Sequence, residues 1–201
     1  MTEHPRVGDA RPGGRAARVR DAVLSATAEL LDEVGYERLS IEEVASRAGV
    51  HKTTVYRRWP TKPELVVDAV QVHSETNVPI PDTGTLEGDL RLLTRAVVAN
   101  ISGEGGARRS RSIVAAAISS GELADATARF WAARMAASAP IVERAVERGE
   151  LPPSSDPTLL IEAAVGPLWL RLLLTGEPLD DDIADRLAEL VAAGAPALGP
   201  A

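Results

Sequence analysis

Between positions 47 and 62 the chain carries Arg47, Lys52, Arg57, Arg58 and Lys62 with no carboxylate among them, interleaved with His51, Thr53, Thr54 and Tyr56. Cations, hydroxyls and a phenol at this density suit the noncovalent recognition of phosphates and base edges. Lysine donates to phosphate or guanine, threonine offers thymine a hydroxyl and a methyl, tyrosine donates to phosphate, and arginine grips guanine through two hydrogen bonds. Catalytic chemistry finds far less support. There is no cysteine, no phosphate loop and no nucleophile elbow, and His51 already belongs to the cationic stretch. His4 and His73 have no carboxylate or cysteine partners at ligand spacing, so no metal or cofactor is expected and the chain reads as a non-enzyme.

The elements that would carry these side chains are legible from periodicity and caps. A first helix is expected over residues 15–34, with Val19, Ala22, Val23, Ala26, Leu30 and Val34 on one face and Gly35 as a left-handed terminator. Ser40 followed by Glu43 reads as a reciprocal capping box opening a second helix, whose inner face is Ile41, Val44, Ala45 and Ala48. Residues 48–50 form a tight turn, and a short third helix runs to Trp59 before Pro60 stops it. On that helix Val55 and Trp59 face inward, so Lys52, Thr53, Tyr56 and Arg57 project outward together. Two short helices about a glycine turn, the second cationic on its outer side, form a helix-turn-helix arrangement that enters a DNA major groove. Thr61 and Glu64 make a further capping box for a fourth helix reaching about residue 76.

Composition shifts after a turn-rich connection at residues 77–84. Residues 1–65 hold 11 Lys and Arg against 10 Asp and Glu, whereas residues 66–201 hold 11 against 19, so the net charge of −7 belongs to the second part. A basic surface at one end of an acidic protein suits a chain that meets phosphate locally and repels it elsewhere. Further helices are expected near residues 86–101, 108–119, 123–147, 157–174 and 180–193, with Pro140 kinking or splitting the third of these and residues 166–167 the fourth. The fold class is all-α: a three-helix DNA-binding domain over residues 15–65 and a larger helical ligand-binding and dimerisation domain over residues 66–195. Residues 1–14 read as a disordered basic arm and residues 196–201 as a disordered tail. The arginines at 11, 15, 18 and 20 are either a plain basic tail or an arm that enters the minor groove.

The first twenty residues lack an apolar block, and the apolar run over residues 159–174 is interrupted by Glu162, Pro167 and Arg171, so neither a signal peptide nor a membrane span is expected and residence is taken as cytoplasmic. Trp131, Arg134, Met135 and Trp169 are candidates to line a ligand cavity, against the ordinary reading of such side chains as core. Arg134 suits either an anionic ligand or a surface glutamate. The helix over residues 159–174 is greasy all round, and Ile183, Leu187, Leu190 and Val191 stripe the next, which suits a four-helix interface between two subunits or a buried hairpin within one. A dimer is favoured because two recognition helices held about 34 Å apart read a palindrome with multiplied specificity.

Residues 39–65, which run LSIEEVASRAGVHKTTVYRRWPTKPEL, resemble the DNA-binding domain of the tetracycline-repressor (TetR) family. The likeness rests on the hydroxyl residue opening the second helix, the Ala-Gly-Val turn, Tyr56 followed by an aromatic, and the lysine opening the fourth helix. It implies phosphate contacts from Ser40, Tyr56 and Lys62 and base or groove contacts from Lys52, Thr53 and Arg57, with His51 and Thr54 on the same surface. Glu42 departs from the pattern, standing where some relatives carry a basic residue. A looser likeness over residues 141–178 points to a C-terminal ligand-binding and dimerisation domain of the same family. The implied function is a homodimeric repressor on double-stranded operator DNA, released by a small-molecule effector. Glu42 and the negative net charge support the alternative, a helical ligand-binding or interaction protein with a degenerate head.

Overall fold

A computed structural model describes residues 14–197, and among them there are nine α-helices and no strand. The first four are α1 (Arg15–Arg38), α2 (Ile41–Arg47), α3 (Lys52–Arg58) and α4 (Lys62–Asn77). They close around Val23, Leu30, Leu31, Val44, Val55, Trp59 and Leu65, all nearly inaccessible to solvent. The remaining five are α5 (Leu86–Ser102), α6 (Glu104–Ser119), α7 (Gly121–Glu147), α8 (Pro157–Leu170) and α9 (Asp181–Gly194). A π-turn (Arg171–Thr175) follows α8 and a 3-10 turn (Ala195–Ala197) follows α9. The body core joins Leu90, Leu93, Ile141, Val142, Ile161, Leu168 and Ala188.

Every helix but α1 and α6, which follow glycines, begins where a side chain satisfies a free amide. Thr61 and Glu64 form the full reciprocal box at α4. At α2 the expected box is half made: the Glu43 amide donates to the Ser40 hydroxyl at 3.2 Å, but no bond returns from the Glu43 carboxylate to the Ser40 amide. Helix α7 passes through Pro140 without splitting. In α6 the helix starts four residues before the expected position 108 and contains Gly105 and Gly106. A Cβ on Gly105 would lie 2.8 Å from the Asp32 side chain, and one on Gly106 would lie 2.4 Å from the Asn100 carbonyl, so both glycines serve close packing.

That packing seats the head on the body. Helix α1 breaks at Gly35 (φ 76°), where a Cβ would press to 3.2 Å on Ser112 of α6. The Tyr36 amide donates to the Ser112 hydroxyl at 2.9 Å, and Arg108 donates to the carbonyls of Asp32 and Glu33, both at 2.7 Å. A cation thereby satisfies carbonyls that the end of α1 leaves open. Arg109, also on α6, pairs with the Asp32 carboxylate. Ile113, Ala116 and Leu123 from α6 and α7 complete the head's own core. On its other side α6 is tied to the π-turn, where Arg111 donates to the Leu172 carbonyl at 3.0 Å.

Helix α8 and its π-turn together span Pro157–Thr175, 19 residues with a mean hydropathy of 1.5, one third buried within the chain. By length and composition alone the stretch is apolar enough to cross a membrane, a test that an ordinary core helix also passes. Its sequence still holds Glu162 and Arg171.

Candidate nucleic-acid interface and ligand cavity

Val55 and Trp59 are buried, and the Trp59 indole donates to Asp68 at 2.8 Å, which fixes the roll of α3 against α4. Lys52, Thr53, Tyr56, Arg57 and Arg58 are consequently exposed, and Thr54 is half-buried. Tyr56 keeps 41% of its surface accessible, unusual for so large an apolar ring and suited to contact with a partner. Ser40 caps α2, while His51 caps α3: its Nδ1 accepts from the Thr53 amide at 3.3 Å and lies 2.9 Å from the Thr53 hydroxyl. Histidine takes the structural part that serine or threonine normally takes.

The cations are less free than their local sequence implies, because folding brings carboxylates to them. Arg47 is gripped by Glu33 through two bonds of 2.6 and 2.8 Å, and that pair raises the arginine pKa and lowers the glutamate's. Lys52 Nζ lies 4.0 Å from Glu42, whose carboxylate also accepts from the Tyr56 hydroxyl at 3.3 Å. Desolvation and then the Glu42 charge push the Tyr56 phenol above its ordinary pKa, so it is a neutral donor at physiological pH. Lys62 lies 4.2 Å above the Tyr36 ring and donates to the Glu37 carbonyl at 3.3 Å, with burial lowering its pKa. Arg58 lies 5.4 Å from the Trp59 ring centre. Arg57 makes no ion pair or hydrogen bond with the described residues. Exposed pairs of this kind are worth little and exchange readily for phosphate. Of the expected arm, Arg15, Arg18 and Arg20 lie in the opening turns of α1, and Arg11 falls outside the described residues.

Trp131, Arg134, Met135 and Trp169 all line one cavity in the body, between α4, α5, α6, α7 and α8, with about 90 Å³ open to the centres of water-sized molecules. Phe130, Trp131 and Trp169 meet edge to face, with centroids 5.3 and 5.0 Å apart. Val67, Val70, Leu93 and Val97 supply apolar wall. Sequence reasoning missed the polar group opposite. His73 Nε2 lies 3.0 Å from Asn100 Oδ1, and Arg109 reaches the same oxygen at 3.1 Å and the Asn100 carbonyl at 2.9 Å. Burial, then the Arg109 charge, hold the His73 imidazole below its ordinary pKa. Because Arg109 also pairs with Asp32, one side chain touches both the cavity and the head. Only the polar run Arg108-Arg109-Ser110-Arg111-Ser112, ahead of the apolar second half of α6, could have signalled it.

A four-helix head that presents α3 outward and a helical body with an internal cavity define a helix-turn-helix DNA-binding regulator. Comparison with known proteins carries this further. The sequence profile described as bacterial regulatory proteins, tetR family, matches residues 23–69, and that of the tetracyclin repressor-like C-terminal domain matches residues 80–191. The HTH-type transcriptional regulator AqdR of Rhodococcus erythropolis is 31% identical over 180 residues, covering 90% of this chain and 86% of that protein. The DNA-binding transcriptional repressor TetR of Mycobacteroides abscessus is 34% identical over 171 residues, covering 84% of this chain and 88% of that one. Among solved structures, the TetR family transcription regulator SCO0332 superposes with a TM-score of 0.78 at 34% identity, covering 88% of this chain and 98% of that one. The chain belongs to the TetR family of transcriptional regulators and carries its helix-turn-helix DNA-binding domain.

Proposed function

We propose that the protein is a repressor that binds a palindromic operator as a homodimer and leaves it when a small molecule occupies the body cavity. The observation that carries this reading is the orientation of α3, with Val55 and Trp59 turned in and Lys52, Thr53, Tyr56 and Arg57 turned out. In this reading residues 15–65 bind DNA and residues 66–195 bind ligand and dimerise, in a cytoplasmic protein. Lys52, Thr53 and Arg57 face base edges, Ser40, Tyr56 and Lys62 face phosphates, and His51 and Thr54 support the same surface. To reach phosphate, Lys52 and Tyr56 exchange Glu42 for the backbone, and Lys62 swings off the Tyr36 ring. Helices α8 and α9 and the π-turn after α8 support the dimer: Leu159, Leu170, Leu174 and Leu190 stand exposed on them, and burying such a surface between two copies stabilises an interface.

An effector acts by its differential affinity for two dimer geometries. Two joints connect cavity to head: α4, which runs from the head past the cavity, and the Arg109–Asp32 contact between α6 and α1. Trp131, Arg134, Met135 and Trp169 are the ligand-facing side chains of this reading.

The test is a gel shift with the promoter regions flanking the protein's own gene, run for wild type and for Tyr56→Ala and Lys62→Ala, with the subunit count measured by light scattering. The expected outcome is a sequence-selective, salt-sensitive shift by a dimer, weakened in both variants. A solitary subunit, or no selective shift at any salt, overturns the reading.

A further inference from the structure

We propose that the effector is an organic anion, an apolar body bearing one carboxylate or equivalent acidic group, and that Arg134 is the residue that binds the acid. This rests on the reading above, in which the body cavity takes the effector, and it names the chemistry of that molecule.

Arg134 sits on α7 with only 6% of its surface accessible, and no carboxylate of the described residues comes within ion-pair distance of it; Glu75 of α4 acts on it only through its charge. Its one protein acceptor is the Val78 carbonyl at 3.0 Å. A guanidinium offers five N–H donors in a planar fork whose geometry matches a carboxylate, so most of its capacity is unused by the protein. Holding a cation in an apolar interior without a counter-charge costs free energy, and a bound anion would recover it. The cost of burial is visible in the side chain itself, since desolvation lowers the Arg134 pKa.

The neighbouring residues narrow the choice. Thr127, Phe130, Trp131, Arg134 and Ser138 follow one another at helical spacing, so α7 turns a single stripe of them into the cavity. The Thr127 hydroxyl on this stripe is sealed from solvent and has no hydrogen-bond partner, a second polar group waiting for one. No Asp or Glu lines the cavity. The other cation there, Arg109, is already matched by Asp32, which leaves Arg134 as the one cavity cation among the described residues with no carboxylate in contact. Apart from the His73–Asn100–Arg109 group and the serine hydroxyls of residues 74, 110 and 138, the rest of the wall is aliphatic and aromatic. An acid with a hydrocarbon body satisfies both halves of the site, whereas a neutral hydrocarbon leaves the guanidinium unpaired and a polyanion finds no second cation free.

The source of the apolar body, alkyl or aromatic, is separated by the probes. Isothermal titration of the purified dimer uses two matched pairs, octanoate with octanamide and 1-naphthoate with 1-naphthamide. Wild type is expected to bind at least one carboxylate about 10- to 100-fold tighter than its amide, the range for a charge-assisted hydrogen bond. The pair that discriminates identifies the body. Arg134→Gln, checked for folding by circular dichroism, is expected to bring that ratio near one, and Arg134→Lys to keep part of it. Equal binding of acid and amide by wild type, no binding of either carboxylate at 1 mM, or undiminished discrimination by a folded Arg134→Gln overturns the proposal. The wild-type comparison alone decides the matter if the glutamine variant does not fold. Operator release is measured separately, by anisotropy of labelled DNA. Acid-selective binding without release overturns the release mechanism and leaves the anion site standing, while release by the amide as readily as by the acid overturns the anion site.

Discussion

The recognition face and the body cavity handle positive charge in opposite ways. On α3 and its surroundings the cations lie at the surface, and Arg47, Lys52 and Lys62 rest on acceptors that water can replace. In the cavity two arginines are almost fully enclosed, one neutralised by Asp32 and the other left to a single carbonyl. Surface pairs contribute little to stability and can be traded for a phosphate, whereas an enclosed charge is strongly committed to whatever partner it has. The same side chain therefore does reversible electrostatic work in the head and selective binding or mechanical work in the body.

Breaking the enclosed pair should have the largest effect. Asp32→Ala leaves Arg109 buried without its counter-charge and is expected to lower stability to urea by about 2–3 kcal/mol, less than for a wholly buried pair because Asp32 keeps 34% of its side chain exposed. A loss no greater than that of Glu33→Ala would erase the contrast between the two regions. Arg57→Ala should leave the melting temperature unchanged yet weaken the selective complex about 10- to 100-fold, by anisotropy at fixed salt. Equal weakening on random DNA would move Arg57 from base edge to phosphate.

A third measurement is a pH titration of stability. His73 has a folded pKa depressed below about 6.5, so below that value the unfolded chain takes up a proton that the folded chain refuses. Stability from this group is complete above pH 6.5 and falls as the solution is acidified toward the folded pKa. His73→Gln should flatten the melting temperature between pH 7.5 and about 5.5, and a profile as steep as wild type would place the acid sensitivity elsewhere. Glu42→Gln removes a carboxylate that engages both Lys52 and Tyr56, and about threefold tighter DNA binding is expected, a typical exposed-pair effect. Weaker binding would mean that Glu42 itself accepts from a base. Glu33→Ala should do least, shifting the melting temperature by no more than about 1 °C.

The helices were legible in the sequence because their caps and apolar spacing are local. Ser40, Thr61 and the pair Val55 and Trp59 lie within a few residues of what they organise. The charge pattern was misleading for the opposite reason. Residues 47–62 contain no carboxylate, but Glu33 stands 14 residues from Arg47 and Glu42 stands 10 from Lys52 and 14 from Tyr56, and only the packed head brings them together. Gly105 and Gly106 delayed the expected start of α6 because glycine ordinarily weakens helices, while here it admits Asp32 and Asn100. Trp131, Arg134, Met135 and Trp169 could be picked out by type. His73, Asn100 and Arg109 could not, since their cluster joins three helices, and neither could the enclosure of Arg134.

The π-turn that closes α8 gives α6 an unusual mechanical position. Arg111 fastens α6 to the Leu172 carbonyl within that turn, and Arg108, three residues earlier in the same helical turn, fastens it to carbonyls near the end of α1. One turn of α6 is thus a clamp between the leucine-studded end of α8 and the base of the head. A shift at either anchor reaches the other across that single turn, without passing along α4 at all.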